Sequence, residues 1–265
     1  MTARINHLTI VSENNYALSH YYQGFFHMRP AGAQGPTDDV TIGDGRIGLN
    51  IRPRVSGHPA QLDHFGIEVD DLGRVQARIR ESFPGIDWIE RGQGVISTHD
   101  PMGNVVLVAH TGAAGRDGFY EVQPKIQDRV VDHFALRVRR PQLVADFYTK
   151  VFELAPLANP PAGDNLYFTD GHVTLVIIPW RLGDFEDTGI SARGMDHIGF
   201  KVESIDTLKA DIARVTARNP RFQPSETVVG RGKEGGGRLE MFRRTCPLGC
   251  HHMADADGLL LDVRE

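Results

Sequence analysis

One pattern limits the fold of this chain more than any other. A histidine preceded by an acidic or amide residue and followed by an apolar one opens four strand-like segments: Asn6-His7-Leu8, Asp63-His64-Phe65, Asp132-His133-Phe134 and Asp196-His197-Ile198. The histidines follow one another at 57, 69 and 64 residues. Self-similarity at such a period marks repetition of one supersecondary unit. Each copy reads alike: a short strand, a turn, an amphipathic helix, then strand-rich sequence.

In the first copy Ile5–Val11 is strand-like, and Ser12 to Asn15 offers caps for a helix ending near Phe26. Residues 40–51 read as a hairpin turning at Asp44-Gly45. The second copy places Leu72, Val75, Ile79 and Phe83 at helical spacing and closes with Asp100-Pro101-Met102-Gly103-Asn104 before a strand. In the third, a helix from Gln142 to about Phe152 precedes a hairpin turning at Asp170-Gly171. The fourth has a helix after Ser204, a glycine-rich stretch at 230–237 and a resumed strand at Leu239–Phe242. That stretch lacks the Lys-Ser/Thr ending of a phosphate-binding loop, so it reads as a flexible lid.

Residues 112–127 lack periodicity and read as a linker. The expected architecture is therefore α+β, four tandem βαβββ modules paired into two half-barrels. The first would span residues 1–115, with modules at about 1–56 and 60–112; the second 128–265, with modules at about 128–181 and 193–265. A strongly curved sheet with one face under its helices leaves the other as a ready pocket.

A formal net charge of −5 gives no electrostatic case for nucleic acid or an anionic membrane as partner. No apolar stretch approaches the roughly 18 residues of a membrane span. The N-terminus runs into a strand pattern without a signal-peptide core, and two cysteines imply no disulfide framework; a cytoplasmic setting is expected. The sequence leaves open whether copies of the chain assemble.

The last residues carry the chemistry. Asp255-Ala256-Asp257-Gly258 is a turn, and the apolar run after it contains one carboxylate, Asp262. A charge in a buried strand is expensive unless paired or bound to a metal. Arg137 and Arg264 are alternative partners. The expectation is that Asp262 and two of the four histidines hold one metal ion.

The Asp/Asn-His openings and the two closing turns, Asp100–Asn104 and Asp255–Gly258, resemble the vicinal oxygen chelate superfamily. It includes glyoxalase I, bleomycin resistance proteins and type I extradiol ring-cleaving dioxygenases. The likeness extends over nearly the whole chain. It implies a metal ligand on a module's first strand and a carboxylate ligand four residues after the closing glycine. The fourth module then supplies Asp262, whereas the second has Leu107 there. The implied metal set is His133, His197 and Asp262 if modules three and four pair, with His7 replacing His133 if modules one and four pair. Neighbouring modules usually pair, which favours His133. His7 and His64 read as relics of a lost site. Asp262 stands where the family usually has Glu.

Two imidazoles and one carboxylate can occupy one face of an octahedron, which suits non-haem Fe(II); Mn(II) or Zn(II) are alternatives. The resemblance implies a catechol-like small-molecule substrate, dioxygen as second reactant, and an acid–base histidine on the third module's last hairpin, where His172 falls. It also implies a tyrosine three residues before Asp255; here that position is His252, a hydrogen-bond donor of lower pKa. His251 and His252 alternate across a strand, so only one faces the cup. The alternatives are a glyoxalase-type isomerase or lyase and a non-enzymatic binding protein. Cys246 and Cys250, with the two histidines that follow, sit too close together on a strand for a separate zinc site, and read as reduced cysteines near the pocket.

Overall fold

Pairing between the opening strands of neighbouring units builds the fold. The computed structural model describes residues 2–31, 39–113, 120–123, 127–188, 194–225 and 233–265. The first unit comprises β1 (Ala3–Ser12), α1 (Asn15–Phe26), β2 (Arg29–Pro30), β3 (Val40–Gly43) and β4 (Gly48–Pro53). The second comprises β5 (Gln61–Val69), α2 (Leu72–Ser82), β6 (Trp88–Gly92), β7 (Val95–His99) and β8 (Val105–His110). The third comprises β9 (Val130–Val138), α3 (Pro141–Phe152), β10 (Ala155–Pro156), β11 (Leu166–Thr169) and β12 (Thr174–Pro179), followed by α4 (Leu182–Thr188). The fourth comprises β13 (Gly194–Lys201), α5 (Ile205–Arg218), α6 (Lys233–Thr245), β14 (His251–Ala254) and β15 (Leu260–Arg264).

The strands form two mixed sheets, ordered β2-β3-β4-β1-β5-β8-β7-β6 and β10-β11-β12-β9-β13-β15-β14. These are the two half-barrels of an α+β fold. At their centres β1 pairs antiparallel with β5, and β9 with β13. Unit one is thus joined to unit two, and three to four, which puts His133 beside His197 and leaves His7 beside His64. No described helix is long and apolar enough to cross a membrane.

Helix starts follow from local chemistry. Asn14, Asp71 and Ser204 each accept a hydrogen bond from a backbone N–H of the first turn, at Ala17, Arg74 and Thr207. Pro141 opens α3, where a missing N–H costs nothing.

The fourth unit departs from expectation. Leu239–Phe242 is not a strand, and the glycine-rich stretch is not a loop where it is described: both lie in α6, while residues 230–232 fall outside the described residues. Leu239, Glu240, Met241 and the arginines beside them are strong helix formers, and Pro247 and Gly249 lie just past the helix end. Among the described residues, a single bridge between Ser225 and Ala254 stands where the other units have a further strand.

The halves meet through the faces opposite their cups. β5 lies against β13, α1 against α5 and α2 against α3. Phe26 stacks on Phe200 at 3.8 Å between centroids, and Phe65 lies 4.7 Å from Phe134. The closing-turn aspartates fasten the two halves by one rule. In Asp44, Asp100, Asp170 and Asp255, Oδ1 accepts two backbone N–H groups of its own turn. Oδ2 reaches across: Asp44 to Val131 N at 2.7 Å, Asp170 to Ile5 N at 2.7 Å, Asp100 to Tyr148 Oη at 3.3 Å and Asp255 to Tyr22 Oη at 2.8 Å. These four links relate the halves by an approximate two-fold. They explain why the turns carry aspartate although three of the four, Asp44, Asp100 and Asp255, are fully buried.

Candidate metal centre

Each opening histidine is set by a β-bulge. The pairing of β9 with β13 skips Asp132 and Asp196, and that of β1 with β5 skips Asn6 and Asp63. An extra residue lets two consecutive side chains share one face. The acid or amide therefore takes the Nδ1 of the next histidine: 2.7 Å for Asn6–His7, 2.6 Å for Asp63–His64, 3.0 Å for Asp132–His133 and 2.9 Å for Asp196–His197. Such a partner fixes the ring and turns Nε2 away as a possible ligand atom; that of His64 is 3.2 Å from Thr9 Oγ1. Arginines hold the two C-terminal carboxylates in turn. Arg264 Nη2 is 2.5 Å from Asp132 Oδ1, and Arg137 Nε is 2.6 Å from Asp196 Oδ1. Neither arginine neutralises Asp262.

His133, Gly199 and Asp262 occupy one cross-strand row on β9, β13 and β15. Gly199, in the middle, has no side chain to separate the other two; a Cβ there would lie 1.9 Å from His133 Cε1. One ligand atom from each of His133, His197 and Asp262 lies within 4.8 Å of the others, and all three residues are buried. The imidazoles of His133 and His197 stand edge to face, 5.5 Å apart. His133 Nε2 is 3.1 Å from Asp262 Oδ2, which also accepts the Gly249 N–H at 3.0 Å. Two donors about 2.1 Å from one cation and at right angles to it are about 3.0 Å apart, so the spacing suits a shared ion. Asp262 Oδ1 is buried without a hydrogen-bond partner, although His252 Nε2 is 3.0 Å away. Two imidazoles and the Asp262 Oδ2 oxygen, converging in a buried group, form a donor set that fits a divalent metal.

Burial pushes the Asp262 carboxyl upward, but the hydrogen bond from His133 and the contact with His252 outweigh it and hold the group well below the ordinary carboxylate range. Burial lowers His133, and the carboxylates of Asp132 and Asp262 more than restore it. Asp262 raises His252 against partial burial. Asp262 is thus an anion held between the rings of His133 and His252.

The surroundings divide sharply. β14 places His252 opposite Asp262, with its ring stacked on Phe242, while His251 takes the other face. Met241 and Phe242 from the end of α6, and Cys246 just after it, pack with Leu260 and cover the group. Asp184 on α4 is ion-paired with Arg137 and Arg244 beneath this cover. Ala135, Tyr167, Val176 and Ile178 form an apolar wall. His172 is not part of the group. It sits exposed on the turn whose Asp170 reaches the other half, and the hairpin turns Val176 and Ile178 inward instead.

The N-terminal cup repeats this geometry without its anion. His7, Gly66 and Leu107 form the matching row, and a Cβ on Gly66 would lie 2.0 Å from His7 Cε1. His7 and His64 are again edge to face, 5.9 Å apart. Tyr120 stacks on His7, and the cup holds a cavity of about 590 Å³ lined in part by Asn50, Arg52, His64 and Leu107. Gly199 and Gly66 each stand two residues after a histidine, so a repeated His-x-Gly marks both rows in the sequence.

A profile of the Glyoxalase/Bleomycin resistance protein/Dioxygenase superfamily matches residues 130–263, and the chain belongs to that superfamily. Among solved structures it is similar to a catechol 2,3-dioxygenase, at a TM-score of 0.60 and 14% identity over 98% of this chain and 86% of that one. It is similar to the Mn(II)-bound glyoxalase from Novosphingobium aromaticivorans, at 0.62 and 13% over 98% and 81%. A variant of 4-hydroxymandelate synthase from Streptomyces coelicolor aligns at 0.60 and 12% over 98% and 91%. No curated protein sequence matches the chain. At such identities the likeness shows the fold, and these neighbours differ in chemistry.

Proposed function

We propose that the chain is a metal-dependent enzyme acting on a small molecule with two adjacent oxygens, and within that class an extradiol-type ring-cleaving dioxygenase with a catechol-like substrate and dioxygen as reactants. The observation that carries this reading is the buried convergence of His133, His197 and Asp262, with ligand atoms within 4.8 Å of one another. Three protein ligands on one side leave positions for a bidentate substrate and a second small molecule, which suits Fe(II), with Mn(II) or Zn(II) as alternatives. The ion, when bound, would supply charge stabilisation and a template for both reactants. The wall of Ala135, Tyr167, Val176 and Ile178 suits a flat ring. His252, 3.0 Å from Asp262 Oδ1, is placed to hold or donate a proton at a substrate oxygen. His172 takes no part in this scheme. The free cysteines fit a reducing compartment, and the cytoplasm is the proposed setting.

A second reading, a glyoxalase-type isomerase or lyase, draws on one observation. The third unit's hairpin presents Val176 and Ile178 to the cup, with the Tyr167 phenol rather than an imidazole as its ionisable group. The test begins with metal analysis of protein purified without chelator, then oxygen uptake with a catechol panel after Fe(II) loading. Oxygen consumption matched by a ring-opened product supports the dioxygenase. Turnover of a vicinal-oxygen substrate without oxygen uptake supports the second reading, and a chain that binds no metal sinks both.

A further inference from the structure

Asp262 belongs to two donor groups at once. Its Oδ2 faces His133 Nε2 at 3.1 Å, and its Oδ1 faces His252 Nε2 at 3.0 Å. Asp262 also belongs to a second group: one ligand atom each from Cys246, His252 and Asp262 lies within 4.8 Å of the others. We propose that Cys246 Sγ, His252 Nε2 and Asp262 Oδ1 form a second cation site, joined to the first by the Asp262 carboxylate as a bridge.

Three observations converge on it. Oδ1 is buried, and the group that faces it is the His252 ring, itself a metal-ligand type. Its 3.0 Å separation from His252 Nε2 matches two ligands set at about a right angle around one ion, as on the His133 side. Cys246 is 2% exposed, and its sulfur lies 3.8 Å from Thr245 Oγ1 and 3.7 Å from His197 Nδ1. The chain places these donors by local means. Cys246 directly follows α6, Gly249 donates its N–H to Asp262 Oδ2, and β14 then carries His252 into register opposite Asp262. A Cβ at Gly249 would lie 1.8 Å from Asp262 Oδ1, so the loop can press on the carboxylate only as glycine. Cys250, which looks like the natural partner of Cys246 in the sequence, is exposed and takes no part.

The donors define the ion. A thiolate, an imidazole and a carboxylate form a borderline-soft set suited to Zn(II), whereas two imidazoles and a carboxylate at the first site suit Fe(II) or Mn(II). Binding there releases the thiol proton to solvent. The inference does not depend on which reaction the first ion supports, but an ion on His252 Nε2 occupies the nitrogen otherwise proposed to handle a substrate proton, so with the second site filled His252 acts as a ligand only.

Co(II) titration of reduced, metal-free protein tests this without any substrate. Bound equivalents are counted by dialysis and elemental analysis, and the near-ultraviolet thiolate-to-cobalt charge-transfer band reports sulfur ligation. Wild type should bind two equivalents and show the band. C246S should lose the band and one equivalent; H252Q, at a partly exposed position, should also lose one equivalent and serves if C246S fails to fold. H197N should lose the other equivalent and keep the band. One equivalent in wild type overturns the proposal: with the band, Cys246 would be a ligand of the first ion; without it, the sulfur would be inert. Two equivalents without the band, or a band that survives in C246S, also overturns it. Absence of oxygen uptake in the catechol assay would leave these results untouched, so the two readings fail separately.

Discussion

The ring of His133 lies across Gly199, so closely that a Cβ on the glycine would come within 1.9 Å of His133 Cε1. The ring cannot retreat, because Asp132 holds one nitrogen and Asp262 the other. G199A should therefore destabilise the fold by about 1–3 kcal/mol, the usual cost of overpacking a core. It should also weaken metal binding at least tenfold by displacing a ligand. G66A presses on His7 at 2.0 Å and should cost similar stability, with C-terminal metal affinity unchanged. Urea midpoints and chelator competition measure both. Equal metal affinities for wild type and G199A would show that His133 is not a ligand.

Asp196 tests the supporting layer. Its side chain is 9% exposed and ties His197 Nδ1 to Arg137, whose Nη2 already lacks a partner. Burial works against its charge, and Arg137 with His197 holds the carboxyl far below its ordinary range. D196N keeps the shape and removes the anion. Metal affinity should fall about 10- to 100-fold. Stability should fall by up to about 3–5 kcal/mol, because a buried guanidinium loses one of its two carboxylates. Asp184 remains 3.2 Å from Arg137 Nη1, so the full loss is the upper bound. Denaturant unfolding of the metal-free protein isolates the second effect. An unchanged midpoint would mean that Asp184 alone suffices.

The closing turn gives a pH prediction. Burial raises the Asp255 carboxyl from 3.8 to about 6, although Tyr22 and the Leu259 N–H donate to it and oppose the shift. Its folded value exceeds its unfolded one, so between about pH 4 and 6 the folded chain binds more protons than the unfolded chain. This contribution is fully present below about pH 4 and is lost as pH rises through about 6; two units correspond to about 3 kcal/mol. D255N keeps an acceptor for the turn but does not titrate. The stability difference between wild type and D255N should therefore shift by up to that amount across the window, in favour of wild type at the acid end. Parallel stability–pH curves would rule the assignment out.

Much of this architecture can be read from residues. The four histidine openings mark β1, β5, β9 and β13, and Asn14, Asp71 and Ser204 mark helix starts, because strand opening and capping are local events. Asp262 stands out because a carboxylate inside an apolar run needs a partner. α6 is harder to read: three glycines suggest a loop, and the helix is carried by the residues after them and by packing of Met241 and Phe242 over the cup. His172 lies close to the wall in sequence and away from it in space, since the turn is set by Asp170 reaching Ile5 in the other half. The bulges were legible only in retrospect. An Asp-His pair that acts on one sheet face contradicts strand alternation, and that contradiction is itself the sign of an extra residue.

Leu107 offers the sharpest test of the repeat. It holds the place in the N-terminal row that Asp262 holds in the C-terminal one, opposite Gly66 as Asp262 is opposite Gly199. His7 and His64 keep the dyad geometry, with centroids 5.9 Å apart against 5.5 Å for His133 and His197. Leu107 lines the cavity of about 590 Å³, so a carboxylate there meets water and avoids the desolvation a core position imposes. L107D should therefore fold and bind one more Co(II) equivalent than wild type, with no added thiolate band because no cysteine lies in that cup. Tyr120 stacks on His7 and would compete for the same space, so L107D combined with Y120A should bind the extra ion more tightly than L107D alone. The extra equivalent should vanish in L107D combined with H64N. If L107D folds, as judged by circular dichroism, and titrates like wild type, the two histidines are not aligned to share an ion, and the N-terminal row is a likeness of backbone only.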